Sequence, residues 1–319
     1  MGKLKARTPY SQSRISDMVY DHSSASNSTK RLQIGTANFG TNYGLTGSNS
    51  GLKRDSLDEI FEIISRNKAL CLDTAAGYSN SIQTIANYSS NINLTGRIST
   101  KISFNNLINI NLILDEIKNS LNLLNIDFFS EIYLHGFKEV YYDFKYELNE
   151  ILQSLIDLGF TKKVGMSCYS ESEIISSLKL FPQLTIFQVP ENILDQRLIE
   201  SILIKNLNSS GVKFFVRSAF LQGLLLMHPT EIPNDLESIK PSVVELRHIA
   251  ERSHITVLEL CLQYINKIEW ASGLVVGVNS GQQLMQIIDI FFNQVKTNDV
   301  QAKPYLGDLI DPRNWNLKN

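Results

Sequence analysis

The chain has 319 residues, 43% of them hydrophobic and 19% charged, with a formal net charge of −2. That is enough apolar material for one large core, and α/β barrels of this length are common as single domains. The charge balance gives no footing for nucleic acid or an anionic membrane as partner. No apolar run approaches the roughly 18 residues of a membrane-spanning helix, and the basic first residues lack the apolar centre of a signal peptide. The three cysteines, Cys71, Cys168 and Cys261, are far apart and show neither metal spacing nor a disulfide framework, which suits a reducing, cytoplasmic setting.

Residues 1–30 contain the polar stretch DHSSASNSTK and read as a flexible N-terminal extension; within it, Met18-Val19-Tyr20 is the one trace of a strand. Arg31 to Thr36 is the first strand, followed by the glycine-rich loop FGTNYGLTGSNSG. Residues 55–66 carry a helical stripe at positions 57, 60, 61, 63 and 64, with Asp55 or Ser56 as N-cap. Leu70 to Asp73 is a short buried strand and opens the segment LCLDTAAGYSNS. Further strands are predicted at 97–101, 127–134, 163–167, 184–188, 212–217 and 273–276. Helices are predicted at 111–125, 145–158, 171–179, 197–208, 242–252, 256–267 and 281–292. A longer excursion runs from Ser218 to about Pro241. The alternation fits a (β/α)8 TIM barrel as a single domain over residues 31–298, with 299–319 as a tail near the barrel mouth. Right-handed crossovers would bring all strand C-termini to one face.

Three of these strands end on chemistry. The second runs into Asp73 with Tyr78 close behind, the third into Lys101 and the fourth into His135. Taken singly, each residue has a plain structural reading: a turn aspartate, a rim aromatic, a solvated lysine, a satisfied imidazole. Together at one end of a barrel they point to a proton-transfer site, since a buried carboxylate needs a partner and a phenol with a pKa of about 10 needs help to act near neutrality.

This constellation resembles the aldo/keto reductase superfamily, whose Asp, Tyr, Lys and His meet at the mouth of a (β/α)8 barrel; Asp73, Tyr78, Lys101 and His135 match in order and approximate spacing. The resemblance implies an NAD(P)-dependent oxidoreductase acting on a small-molecule carbonyl or hydroxyl. Tyr78 would be the proton donor, Lys101 would lower its pKa, Asp73 would hold Lys101 charged, and His135 would bond the substrate oxygen. It also implies a site for NAD(H) or NADP(H): Ser167 in KKVGMS and Gln188 in IFQVP for the carboxamide, and Arg217 stacked on the nicotinamide. Ser218, Phe220 and Gly223 would start the pyrophosphate loop, and Gly277, Asn279, Ser280 and Gln283 would lie at the adenosine end. The segments VRSAFLQGLLL, VPENILDQR and LIDPRNW resemble a bacterial branch found with sugar or surface-polysaccharide biosynthesis, so a sugar or nucleotide sugar is the expected substrate.

Three departures stand out. Cys168 replaces the usual Asn after the serine, Ser79-Asn80-Ser81-Ile82 lacks the usual Glu, and the last helix begins without Lys or Arg at Gly277 and Gln283. The last predicts that NAD(H) binds about as well as NADP(H), or better. Two other functions keep the fold: a cofactor-bound regulatory subunit without turnover, and a lyase forming a Schiff base on Lys101. Single-turnover oxidation of bound reduced cofactor separates the first from the enzyme; borohydride trapping detects the second. The sequence leaves the oligomeric state open.

Overall fold

A computed structural model describes residues 30–40, 44–45, 51–78, 80–103, 109–293 and 302–315. Eight strands, all parallel, close into a barrel: β1 (Arg31–Gly35), β2 (Leu70–Asp73), β3 (Ile98–Ile102), β4 (Glu131–Leu134), β5 (Val164–Ser167), β6 (Ile186–Pro190), β7 (Lys213–Arg217) and β8 (Ala271–Gly277). Each strand pairs with its sequence neighbour, and β8 returns to β1 with Gly35 opposite Gly277. Nine helices are described around it: α1 (Arg54–Arg66), α2 (Ser81–Ser89), α3 (Ile110–Leu124), α4 (Lys145–Asp157), α5 (Glu171–Leu180), α6 (Ile202–Ser209), α7 (Lys240–Arg252), α8 (Val257–Lys267) and α9 (Gly281–Phe292). This is the (β/α)8 barrel read from the sequence.

The strands are buried on both faces, so they read as apolar runs rather than alternating ones. Outward residues such as Ile34, Leu72, Ile132, Met166 and Val216 pack on the helices in the main core. Inward residues form a separate layer of Tyr133, Ile186, Phe215 and Val275. Two glycines make room for it. A Cβ on Gly165 would lie 2.3 Å from the Ile186 carbonyl oxygen and 2.8 Å from the Tyr133 ring; one on Gly273 would lie 2.5 Å from the Phe215 ring. We expect Gly165→Ala to destabilise the barrel by about 1–3 kcal/mol through overpacking, measured by urea unfolding; a change below about 0.5 kcal/mol would mean the strands part easily. Towards the strand N-termini, Arg31 pairs with the buried Glu131 at 2.5 Å, and Gln33 also donates to that carboxylate.

The boundaries differ from the sequence reading where local chemistry intervenes. α1 starts at Arg54, so Asp55 lies inside the first turn rather than capping it, and the N-cap position, Lys53, makes no side-chain capping bond. α2 went unpredicted: it is nine residues long and buries little beyond Ile85. α6 begins five residues later than expected because Ser201 caps it and residues 197–201 are irregular, with Arg197 paired to Asp195 and the Leu198 N–H donating to Glu191. α7 takes Pro241 into its first turn, where a missing N–H costs nothing. The excursion after β7 folds into a kinked turn, Leu221–Leu226, broken by non-helical backbone at Gln222 and Gly223, and two short 3₁₀ segments, Pro229–Glu231 and Asn234–Ile239. Met18-Val19-Tyr20 and the rest of 1–29 lie outside the described residues.

Candidate active site

Side chains alternate along a strand, and the parity that sends Tyr133 and Ile186 into the barrel also points Asp73, Lys101, Ser167, Gln188, Arg217 and Gly277 inward at the C-terminal ends. They surround a cavity of about 870 Å³ whose wall also includes Tyr78, His135, Ser218, Phe220, Gly223, Asn279 and Gln283. Of the residues expected to act in catalysis or cofactor binding, Ser280 alone is not in that wall: its hydroxyl is used as the N-cap of α9, accepting from the Gln283 N–H at 3.2 Å.

Asp73 and Lys101 are each 3% exposed and form an ion pair. Asp73 also accepts from Ser99 Oγ at 2.9 Å and from Gln188 Nε2 at 2.6 Å, so its carboxylate is held by three donors. Lys101 Nζ stands 5.7 Å from the centre of the Tyr78 ring, and the Tyr78 and His135 rings meet edge to face at 6.0 Å. The sequence places these four side chains on separate elements; the structure brings them to one floor.

The electrostatics correct one expectation. Lys101 was expected to lower the Tyr78 pKa, but the phenol is pushed well above its ordinary value, by burial first and by the Asp73 carboxylate second, with Arg217 opposing. Lys101 has its charge matched by Asp73, so Tyr78 feels a compensated pair. His135 is driven down to about 4 by burial, with the Lys101 charge adding to the effect. Around neutral pH the site therefore presents a protonated phenol beside a neutral imidazole.

The geometry suits the dinucleotide implied by the resemblance. Gln188 Oε1 is buried without a hydrogen-bond partner among the described residues, and so are Arg217 Nε and Nη2; these are unmet needs that a bound carboxamide could meet. The volume falls within the range of cofactor sites, roughly 300–1,000 Å³. After β7 the backbone turns through positive φ at Ser218, Leu221, Gln222 and Gly223, and the Gln222 carbonyl accepts from the Leu45 N–H at 3.1 Å. The loop after β1 thus meets the loop after β7 across the cavity. At its other end a Cβ on Gly277 would meet nothing within 4 Å.

Cys168, at the position of the usual Asn, faces away: it is fully buried with Sγ 3.6 Å from Ser177 Oγ, and burial raises its thiol to about 12. Ser81 supports the tyrosine loop by bonding Thr36 at 2.6 Å and Thr74 at 3.1 Å. Sequence reading missed Tyr169, which is stacked between two guanidinium groups, Arg217 at 4.0 Å and Arg313 at 3.5 Å from its centre. Asp311 orients Arg313 through paired contacts of 2.6 and 3.0 Å. Through Arg313 the tail forms part of the cavity wall.

Comparison with known proteins agrees with this geometry. A search of curated proteins finds no match. Among solved structures the chain is similar to the aldo-keto reductase AKR11C1 from Bacillus halodurans, in holo form, at 20% identity and a TM-score of 0.64, covering 86% of this chain and 94% of that one. It is also similar to the glycerol dehydrogenase AKR11B4 from Gluconobacter oxydans, at 17% identity and a TM-score of 0.58, covering 82% and 86%. At such identities the likeness speaks for the fold. The family model for aldo/keto reductases matches residues 31–303, the whole barrel with its eight strand ends, and the chain belongs to the aldo/keto reductase family of NAD(P)-dependent oxidoreductases.

Proposed function

We propose that the protein interconverts a carbonyl and a hydroxyl on a small polar, sugar-like substrate, with Tyr78 as the proton donor. The observation that carries this is the meeting of Tyr78 and His135 above the Asp73–Lys101 pair on the floor of one cavity. When bound, the nicotinamide supplies the hydride for reduction or takes it up in oxidation. Ser167 and Gln188 would hold its carboxamide, Arg217 would lie against its ring, the Ser218–Gly223 turn would receive the pyrophosphate, and Gly277, Asn279 and Gln283 would line the adenosine end. Tyr78, protonated because it is buried beside a carboxylate, gives its proton to the carbonyl oxygen. His135, neutral above about pH 4, directs a ring N–H at the same oxygen and fixes its angle. Lys101 stays tied to Asp73, which disfavours its use as a Schiff-base amine.

The polar character of the substrate is supported by Lys138, Tyr169 and Arg313 in the cavity wall beside Phe137, by the sugar-associated resemblance of VRSAFLQGLLL, and by a structural relative named for dehydrogenating glycerol, a small polyol. Three free, buried cysteines support a reducing compartment such as the cytoplasm. Among the described residues no helix is long and apolar enough to cross a membrane.

The test is single-turnover consumption of stoichiometric reduced cofactor with a panel of hydroxylated aldehydes, sugars and nucleotide sugars, followed by absorbance. Rapid consumption with at least one of them is expected. Cofactor that binds but is never consumed across the panel would favour the regulatory reading.

A further inference from the structure

Where β7 passes into the cavity wall, its backbone leaves the sheet in an unusual way. The register of β7 against β6 runs as far as Arg217 opposite Pro190, and that against β8 ends earlier, at Val216 opposite Leu274. Ser218, the next residue, has a φ of +64°, the left-handed region that a residue with a Cβ ordinarily avoids. Leu221, Gln222 and Gly223 repeat that sign. Arg217, Ser218, Phe220, Gln222 and Gly223 all line the cavity, so the direction of this turn decides which atoms the cavity offers there.

A non-glycine residue stays left-handed only where its surroundings hold it. The holding groups come from the segment after β6. The Glu191 N–H donates to the Arg217 carbonyl at 3.2 Å, continuing the ladder one residue past β6. One residue further on a side chain takes over: Asn192 Nδ2 donates to the Ser218 carbonyl at 3.2 Å. The Leu221 N–H reaches the same oxygen at 2.9 Å. The carbonyl is thus fixed from within the turn and from outside it.

Asn192 is itself locked. It is buried, and its Oδ1 accepts from the N–H groups of Leu194 and Asp195 at 2.9 and 3.0 Å, the way an asparagine closes a turn on the residues that follow it. Two backbone donors facing the oxygen leave the amide one orientation, with its NH₂ directed at Ser218. The neighbours of Asn192 are anchored as well. The Glu191 carboxyl group accepts from the Tyr264 hydroxyl at 2.6 Å and from the Leu198 N–H at 3.2 Å, and Asp195 grips Arg197 at 2.7 and 2.8 Å.

We infer that Asn192 is a positioning residue of the active site: its amide holds the Ser218 carbonyl, and through it the left-handed turn that carries the cavity wall from Arg217 to Gly223. Asn192 is not in that wall itself. The place demands one small side chain that accepts twice and donates once. Aspartate has the acceptors without the donor, and a serine hydroxyl can close the same turn but ends one atom short of the amide nitrogen. The inference rests on the reading of the cavity as a nicotinamide dinucleotide site, and goes beyond it by naming a residue outside the cavity on which the turn depends.

The experiment is equilibrium titration of the full-length protein with NADH and with NADPH, followed by fluorescence. It is run on the wild type, Asn192→Ser, Asn192→Asp, Ser218→Gly and each Asn192 variant combined with Ser218→Gly, with a urea midpoint for every protein. Glycine adopts positive φ without a steric penalty, so a turn built on it no longer needs the amide. Asn192→Ser and Asn192→Asp should each weaken the better-bound dinucleotide by about tenfold, corresponding to about 1.4 kcal/mol. In the Ser218→Gly background the same substitutions should change affinity by less than about threefold. Asn192→Ser brings no charge into the interior, so it decides the matter where the urea midpoint of Asn192→Asp falls far below that of the wild type. Affinity within about twofold of wild type in Asn192→Ser overturns the inference. So does an equal loss with serine and with glycine at position 218, which would mean that Asn192 supports its own loop and not the turn after β7. Failure of both dinucleotides to bind the wild type would overturn the reading of the cavity itself.

Discussion

Tyr78→Phe should slow the chemical step by roughly 100-fold or more while dinucleotide affinity stays near that of the wild type. The phenol hydroxyl is all that changes. Its ring packs edge to face on His135 and lies beside Lys101, contacts that phenylalanine keeps. The pH dependence gives a second check. Burial and Asp73 hold Tyr78 protonated well past neutrality, and His135 takes up a proton only near pH 4. Reduction should therefore be nearly level from about pH 5 to 9 and fall only at the acid edge, as the imidazole gains charge. Oxidation, which needs the phenolate, should rise across the same interval. Stopped-flow single-turnover rates in both directions measure this. Near-wild-type turnover in Tyr78→Phe would remove it from the chemistry, and a bell centred near pH 6.5 would mean that His135 is far more solvated than its burial indicates.

Asp73→Asn should cost the fold about 3–5 kcal/mol as well as activity. The carboxylate accepts from Lys101, Ser99 and Gln188 inside the barrel. An amide in its place has one acceptor oxygen instead of two and turns an NH₂ towards other donors. Lys101, equally buried, then loses the counter-charge that makes its burial tolerable. Losses of this size are a large share of the 5–15 kcal/mol that stabilises a typical protein. The double variant Asp73→Asn/Lys101→Met removes the stranded charge and should recover most of the stability with no return of activity. Urea midpoints for wild type, single and double variants decide it; a single variant within about 1 kcal/mol of wild type would show that water reaches the pair.

The barrel and the polar cluster at its mouth were legible in the sequence for a physical reason. Parallel strands covered on both faces must be short apolar runs, so a polar residue at the end of one, such as Asp73 or Lys101, stands out against its own strand. The inward parity then followed from the pleat. What escaped notice depends on contacts between distant segments. Tyr169 follows a strand end like many rim aromatics, and only the docked tail shows it held between Arg217 and Arg313. Asn192 reads as a turn residue like other asparagines after a strand, until the fold brings the Ser218 carbonyl within reach of its amide. The sign of the Tyr78 shift was misread because the sequence indicates which charges are near, whereas burial and the compensation of Lys101 by Asp73 decide their balance. α2 was missed because so short and polar a helix takes its stability from docking more than from its own pattern.

Barrel closure has a consequence for how the chain reaches this state. β1 pairs with β2 on one side and β8 on the other, and Lys30 adds a clasp by donating to the carbonyls of Ile265, Asn266 and Ile268 at 3.2, 2.8 and 2.7 Å. During synthesis β1 emerges before β2 to β7, and its second neighbour, β8, follows all of them. Until then Leu32 and Ile34 belong to an open-edged sheet, the kind of edge that invites pairing with another chain. Bringing such distant segments together costs only a logarithm of the intervening length, but it makes a topology of this kind slow to complete. The polar cluster carried by β2, β3 and β4 thus precedes β8 and α9, which complete the cavity wall with Val275, Gly277 and Gln283.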